Sequence, residues 1–132
     1  ELFLVAEKDS RLEGFCMAYD FEFIAKLREQ EPQLESDIAF KYLSELKEDY
    51  VYLDQLAVKK PQTFSGAMAA CELINKLKEL SSEKKGILGV VSHYPWKNNL
   101  SANFDQHQGA RLIKEIGTKE TIILGVYLFD LI

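Results

Sequence analysis

A carboxylate and a phenol stand two positions apart in the apolar stretch 50–58, a spacing that suits acid–base chemistry. If this stretch is a strand, alternation places Tyr52, Asp54, Leu56 and Val58 on one face, and Val51, Leu53 and Ala57 on the other. A carboxylate among apolar neighbours is desolvated, which raises its pKa and suits a general base near neutral pH. The alternative for Asp54 is a solvated or hydrogen-bonded strand aspartate, and Tyr52 either relays a proton or walls a pocket.

Small residues mark the start of the next predicted helix, in the segment Phe-Ser-Gly-Ala-Met-Ala at 64–69. Backbone N–H groups and the dipole at a helix N-terminus hold phosphate-like anions, and small side chains let the anion approach. The same residues also suit a helix face that packs closely on a sheet. A phosphate loop and close packing therefore both remain open.

The histidines and cysteines show no metal-binding pattern. His93 and His107 lack metal-like spacing with acidic residues, and Cys16 and Cys71 are far apart without a CxxC pair. We expect no metal, reduced packing thiols and a cytoplasmic location. His93 ends a predicted strand and would open toward a ligand crevice, or else bond within the turn near Pro95; His107 is expected at the surface or in packing.

Composition indicates one soluble domain over residues 1–132. The chain has 47% hydrophobic residues and a net charge of −5, from 16 basic and 21 acidic residues. This charge repels nucleic acid and anionic lipid, and the basic residues at 59–60 and 84–85 form only short pairs. No apolar run reaches the roughly 18 residues of a membrane span. We therefore predict neither a nucleic acid nor a membrane as partner.

The candidate residues must be positioned by a predicted series of strands and helices. Strands are predicted over 2–6, 13–23, 50–58 and 87–91, with a last hairpin over 111–116 and 121–132. Helices are predicted over 65–80 and from 98 or 99 to 108, and a helical insert over 24–48 has its helix after Pro32. The strand at 87–91 follows a helix, so it should lie parallel to 50–58. The fold class is α/β, a mixed twisted sheet with a central parallel pair and helices on its faces.

Two further expectations concern the helix predicted over 65–80 and the final strand. The buried stripe of this helix is predicted to consist of Ala70, Leu73, Ile74, Leu77 and Leu80. The apolar tract at 126–129 either packs in the core or pairs with a second chain.

Three stretches share a pattern of residue types with a known family. Residues 52–58, followed by Lys60 and Pro61, form a strand and a turn; residues 64–69 open a long helix; and Asn98, Ser101, Phe104 and Gly109 keep a regular spacing. In this order they resemble the GNAT superfamily of N-acetyltransferases over nearly the whole chain. The matching family features are the central strand, the Arg/Gln-Gly-x-Gly-x-Gly/Ala phosphate loop, and Asn-x-x-Ala/Ser-x-x-Phe with Gly five residues beyond.

Some positions depart from the family pattern. Phe64 replaces a basic or amide residue, and Ser65 and Ala67 replace glycines, so the phosphate loop is degenerate. Asp105 stands where the family commonly has a tyrosine that protonates the leaving thiolate. An ionised carboxylate would oppose that thiolate, so Tyr94 or water would serve, or activity would be impaired. The family's first strand and helices have no counterpart, so we expect a trimmed or divergent N-terminus.

The resemblance implies an N-acetyltransferase that moves an acetyl group from acetyl-CoA to a primary amine by direct attack. It implies Asp54 as base, with Tyr52 and Tyr94 as further catalytic candidates. Coenzyme contacts are implied for the central strand (Leu56, Ala57, Val58), for the phosphate loop (Phe64, Ser65, Gly66, Ala67, Met68, Ala69) and for the last motif (Asn98, Ser101, Phe104).

Two other functions remain open. The departures at Phe64 and Asp105 would suit a non-catalytic domain of this fold that senses coenzyme A or binds a protein. The tract at 126–129 would suit a subunit-pairing module and a homodimer. The acceptor, a small molecule or a protein, is not specified, since the acidic stretch 29–37 suits either a cationic partner or a solvated helix face.

Overall fold

The computed structural model describes residues 2–46 and 49–131, without the Glu35 side chain, so 47–48 of the predicted insert and residue 132 of the last strand lie outside it. The elements in chain order are β1 (Leu2–Lys8), β2 (Arg11–Asp20), α1 (Phe21–Gln30), a 3-10 helix (Pro32–Ser36), α2 (Ile38–Glu45), β3 (Tyr50–Val58), α3 (Phe64–Leu80), β4 (Gly86–Tyr94), α4 (Asn99–His107), β5 (Arg111–Gly117) and β6 (Ile123–Asp130). The strands form one sheet in the order β1-β2-β3-β4-β6-β5. Within it β3 and β4 are parallel and the other neighbours antiparallel, which confirms the predicted fold class.

The second strand ends earlier than predicted, at Asp20 rather than at residue 23. The Asp20 side chain accepts a hydrogen bond from the Phe23 N–H at 2.8 Å and so caps α1. The aromatic residues after Asp20 are compatible with a strand or a helix, and the cap favours the helix. The periodicity of the sequence did not indicate this helix. The predicted helix after Pro32 exists, but it starts at Ile38 after the cap Asp37, whose side chain accepts from the Phe40 N–H at 3.0 Å.

Helices cover both faces of the sheet and bury two apolar clusters. On one face, α3 and α4 lie over a cluster that includes Cys16, Ile74 and Phe129. On the other face, α1 and α2 lie over a cluster that includes Ile24 and Leu88. Burial on both faces explains why β4 and β6 read as continuous apolar runs.

The apolar tract at 126–129 belongs to this core. Its four residues are buried, and β6 lies between β4 and β5, with antiparallel partners on both sides. Since neither edge of β6 is open, the proposed pairing of this tract with a second chain is wrong. Core packing, the simpler prediction, accounts for the tract.

A β-bulge interrupts β3 at Asp54. On β2, Met17 pairs with Gln55 and its neighbour Ala18 pairs with Leu53, so Asp54 is skipped. One extra residue reverses the side to which all later side chains point. The bulge therefore separates β3 into two parts with opposite alternation.

The reversal corrects the predicted face of β3. Leu56 and Val58 pack with Leu53 in the cluster under α3, whereas Tyr52 packs in the cluster under α1 and α2. The prediction that Tyr52, Leu56 and Val58 share a face is therefore wrong. Simple alternation missed a change that pairing with β2 imposes.

The parallel pair opens just beyond this bulge. β3 and β4 are paired from Tyr50 with Gly86 to Leu53 with Gly89, and both strands continue without being paired to each other. The β4-facing backbone groups of residues 54–58 consequently have no partner strand. This divergence at the carboxyl ends of the strands creates a cleft, the usual ligand position in such sheets.

The stripe of α3 was predicted correctly except at its end. Ala70, Leu73, Ile74 and Leu77 are buried, but Leu80 is 49% exposed. The position four residues after Leu77 is Ser81, which is 3% exposed and continues the buried face.

Truncation of two leucines on α3 tests this assignment. Leu77→Ala should lower the free energy of unfolding by roughly 2–5 kcal/mol, because Leu77 is fully buried and its loss leaves a cavity. The matched change Leu80→Ala removes the same atoms from an exposed position and should cost much less. Urea denaturation of both variants measures the difference, and equal costs would contradict the assignment.

Candidate functional site

Two adjoining cavities occupy the cleft where β3 and β4 diverge. The first, about 340 Å³, lies between the diverging strands and is called the splay cavity. The second, about 610 Å³, lies between the end of β3, the loop before α3, and α4, and is called the loop cavity. They share four lining residues, here called the neck: Leu56, Ala57, Ser101 and Asp105. The two cavities therefore form one continuous cleft.

Most of the predicted coenzyme-binding residues line the loop cavity. They are Leu56, Ala57, Val58, Phe64, Gly66, Ala67, Ser101 and Phe104. Four others line neither cavity: Ser65, Met68, Ala69 and Asn98. Asn98 instead caps α4, with its Oδ1 accepting from the Ser101 N–H at 3.1 Å, the alternative expected for a residue before a helix.

Sequence reasoning missed several residues of the loop cavity. These are Pro61, Gln62, Thr63, Ala70 and Leu100. A usable signal was present at Thr63, a favoured capping residue directly before the helix. Its hydroxyl accepts from the Gly66 N–H at 3.1 Å and donates to the Lys60 carbonyl at 2.6 Å.

The start of α3 keeps two backbone donors free. No described residue accepts a hydrogen bond from the N–H of Phe64 or Ser65. These donors and the helix dipole lie at the loop cavity, which Phe64 lines. Ser65 and Ala67, which replace the family's glycines, lie within α3 and therefore need no positive φ. The residue with a positive φ in the preceding loop is Gln62, at 65°.

Gly66 is required for a contact within the chain. A Cβ at this position would lie 2.0 Å from the carbonyl oxygen of Lys60. The loop before α3 therefore lies directly against the helix backbone. Close packing explains this glycine, while the free donors one and two residues earlier still suit an anion.

Asp54 lies where cavities on the two faces of the sheet meet. It lines the splay cavity and also a third cavity of about 340 Å³ under α1 and α2, here called the insert cavity. Its side chain is exposed, so the apolar enclosure predicted for it is not found. Burial raises the pKa of Tyr52 well above its usual range, and the neighbouring carboxylate of Asp54 adds to this shift.

The insert cavity has aromatic walls and two carboxylates. It is lined by Tyr19, Phe23, Ile24, Leu27, Leu34, Asp37, Ala39, Phe40, Leu43, Tyr52 and Asp54. The acidic side chains favour a cationic group, and the aromatic rings suit an apolar stem or a cation over a ring face.

Asp105 is the buried carboxyl of the neck. The residue is 6% exposed, and its side chain makes no hydrogen bond with any described residue. Burial raises its pKa from 3.8 to about 7. Sequence reasoning noted Asp105 as a departure from the family pattern but not as a site residue, because its burial depends on how α4 packs.

The remaining candidates lie outside the cleft. His93 does not open toward a crevice, because its ring is held between Glu115 Oε2 and Tyr127 Oη, each at 2.8 Å. Tyr94 is 39% exposed and lines neither cavity of the cleft, and His107 is exposed. Over residues 2–46 and 49–131, no cluster of three or more His, Cys, Asp or Glu suits a metal ion. In the same part of the chain, no helix has the length and apolarity to cross a bilayer.

Gly66→Ala tests the contact between the loop and α3. The added methyl group cannot fit beside the Lys60 carbonyl, so the loop must shift, at a cost of about 1–3 kcal/mol in unfolding free energy. Ala67→Ser is the control, since residue 67 is exposed in the same helical turn. A Gly66→Ala protein with wild-type stability in urea denaturation would rule out the contact.

Asp105→Asn tests the burial of this carboxyl. A carboxyl whose pKa is raised in the folded state stabilises the fold fully below pH 4, and the contribution disappears as pH rises toward 7. Relative to wild type, the Asn variant should therefore gain up to about 4 kcal/mol in unfolding free energy between pH 4 and pH 8.

Urea denaturation across this pH range measures that gain. The control is Asp130→Asn, because Arg111 lowers the pKa of Asp130 and its contribution to stability has the opposite sign. A difference between Asp105→Asn and wild type that does not change with pH would contradict the assignment.

Comparison with known proteins agrees with this architecture. No protein-family model matches the sequence, and the search of curated proteins finds no match. Among solved structures, an N-acetyltransferase from Staphylococcus aureus Mu50 is similar, with a TM-score of 0.67 at 16% identity over 96% of this chain and 69% of that one.

Two more solved structures are similar to this chain. A GNAT-family acetyltransferase from Desulfovibrio desulfuricans gives a TM-score of 0.67 at 11% identity, covering 98% of this chain and 68% of that one. Arabidopsis thaliana NAA60 in complex with acetyl-CoA gives 0.58 at 19% identity, covering 94% and 70%. The chain therefore has the fold of the GNAT superfamily of N-acetyltransferases.

Proposed function

We propose that this protein is an N-acetyltransferase that transfers an acetyl group from acetyl-CoA to a primary amine by direct attack. The observation that carries the proposal is the position of Asp54, which lines cavities on both faces of the sheet at the point where β3 and β4 diverge. A donor bound on one face and an acceptor bound on the other would meet at this residue.

The donor side is the cleft made of the loop and splay cavities. Its free N–H groups at Phe64 and Ser65 suit a pyrophosphate, and the exposed Lys59 and Lys60 in the preceding turn add positive charge. The unpartnered backbone edge at 54–58 suits the amides of a pantetheine arm. The fit lacks a basic side chain at position 64, where an exposed Phe64 instead offers apolar contact.

The acceptor side is the insert cavity. Asp37 and Asp54 favour an ammonium group, and the aromatic residues around them accept the carbon chain that carries it. Solved structures of the same fold include Arabidopsis thaliana NAA60 with a bisubstrate analogue. We place the amine of a small molecule or a protein here.

Asp54 acts as general base in this scheme. It takes a proton from the ammonium ion, directly or through water, and the free amine attacks the thioester carbon. The C–N bond forms, and backbone N–H groups near Leu56 and Ala57 stabilise the oxyanion. The C–S bond then breaks, the nitrogen loses its second proton to solvent, and the sulfur leaves as a thiolate that needs a proton. Tyr52 lies beside Asp54 in the insert cavity and helps to position it.

The other predicted catalytic residue, Tyr94, has no role in this proposal. Its side chain lines neither cavity of the cleft. The two cysteines are unpaired, in keeping with a reducing compartment such as the cytoplasm.

Turnover of acetyl-CoA with a panel of amines tests the proposal. Asp54→Asn should lower kcat by about 100-fold or more, because general base catalysis typically contributes that much, while acetyl-CoA still binds in calorimetric titration. Asp130→Asn is the matched control, since Asp130 lies at the opposite end of β4 beside Gly86.

Three outcomes distinguish the functions. Absence of binding at millimolar acetyl-CoA would reject both the enzyme and a coenzyme sensor. Binding without turnover on any amine would favour the non-catalytic domain. Full activity of the Asp54→Asn protein would reject Asp54 as the base.

A further inference from the structure

Asp105 is an unpartnered acid at the narrowest part of the cleft. Its carboxyl lines both the splay cavity and the loop cavity, yet the residue is only 6% exposed. No described residue donates a hydrogen bond to the side chain, so its oxygens have no protein partner at the cavity that they line. Buried polar groups normally have a partner, and one without a partner calls for an explanation.

Asp105 lies against the sheet beside Gly89 and Tyr127. Its Oδ2 lies 3.4 Å from the place that a Cβ on Gly89 would take, so the carboxyl lies in ordinary contact distance of the strand at Gly89. Tyr127 pairs directly with Gly89, so its ring lies on the same face beside Asp105. Burial is the main cause of a raised pKa of Tyr127, and the charge of Asp105 adds to it, which agrees with the proximity of the two side chains.

Ionisable groups surround this carboxyl on several elements. Asp54 on β3 lines the same splay cavity, and Tyr127 faces it from β6. Behind Tyr127, His93 on β4 bonds the phenol, and Glu115 on β5 bonds the histidine and is 54% exposed. Burial alone raises the pKa of Asp105, and no cation bonds its carboxyl to favour the ionised form among the described residues.

We propose that Asp105 is the proton donor to the departing thiolate. This inference rests on the proposed acetyl transfer, and it assigns a second catalytic carboxyl to the reaction. As the C–S bond breaks, the electron pair goes to sulfur, and the proton of Asp105 moves to it to form the coenzyme A thiol. Solvent then reprotonates Asp105. Over the whole reaction the ammonium ion loses two protons and the thiol gains one, which leaves a net release of one proton.

The environment of Asp105 agrees with this role. Desolvation keeps the pKa of its carboxyl at about 7, so a large share of the protein carries the needed proton at neutral pH. The neck is also where a thioester must lie if its acyl group is to reach Asp54, since both residues line the splay cavity.

Steady-state kinetics of Asp105→Asn give the first test. The amide keeps the shape but cannot act as an acid, so kcat should fall by about 100-fold or more with little change in the acetyl-CoA affinity. In the wild type, kcat should decline above about pH 7 as Asp105 ionises, and the Asn variant should lose this decline. Asn103→Ala, an exposed change on the same helix, is the control for disturbance of α4. An Asn variant with kcat within about threefold of wild type would overturn the role.

A measurement without turnover separates this inference from the function it rests on. The thiol of bound coenzyme A, followed by thiolate absorbance against pH, should titrate about one unit higher in the wild type than in Asp105→Asn, because a carboxylate beside sulfur opposes ionisation. Binding with equal thiol titration in both proteins would overturn the inference and leave the proposed function intact. Failure of coenzyme A to bind the wild type would overturn both.

Discussion

The divergence of β3 and β4 is the constraint on which the rest of the site depends. A parallel pair that continued past Leu53 and Gly89 would satisfy its backbone groups and close the cleft. The bulge at Asp54 accompanies the divergence, and beyond it residues 55–58 are paired with β2 alone. Strand edges without a partner are unfavourable in a dry core, so the groups opened here must face a cavity, water or a ligand.

The rest of the fold holds this opening in place. Two apolar clusters, one on each face, anchor β3 and β4 at their closed end. On the open side, the contact of Gly66 with Lys60 fixes the loop before α3, and the bonds of His93 to Tyr127 and Glu115 tie β4 to β6 and β5. The cleft therefore lies between parts of the fold that packing and hydrogen bonds hold together.

Two carboxyls of the cleft differ in their surroundings rather than in their chemistry. Asp54 is exposed at the bulge and shared between two cavities, while Asp105 is buried on α4 without a hydrogen-bond partner among the described residues. Such a difference lets one carboxyl accept protons while another keeps its own at the same pH. The proposed acetyl transfer uses this asymmetry, with the base on the acceptor side and the acid at the neck.

The sequence by itself determined the features that depend on neighbours along the chain. Periodicity placed β3 and α3, and the spacing of Asn98 and Gly109 marked the limits of α4 and the family fold. Tertiary structure decided the faces of Leu56 and Val58, because a bulge depends on the partner strand. It also decided the burial of Asp105, which depends on α4 packing over Gly89, a strand residue distant in sequence. Local patterns carry no information on such long-range contacts, and these contacts set the environment of both carboxyls.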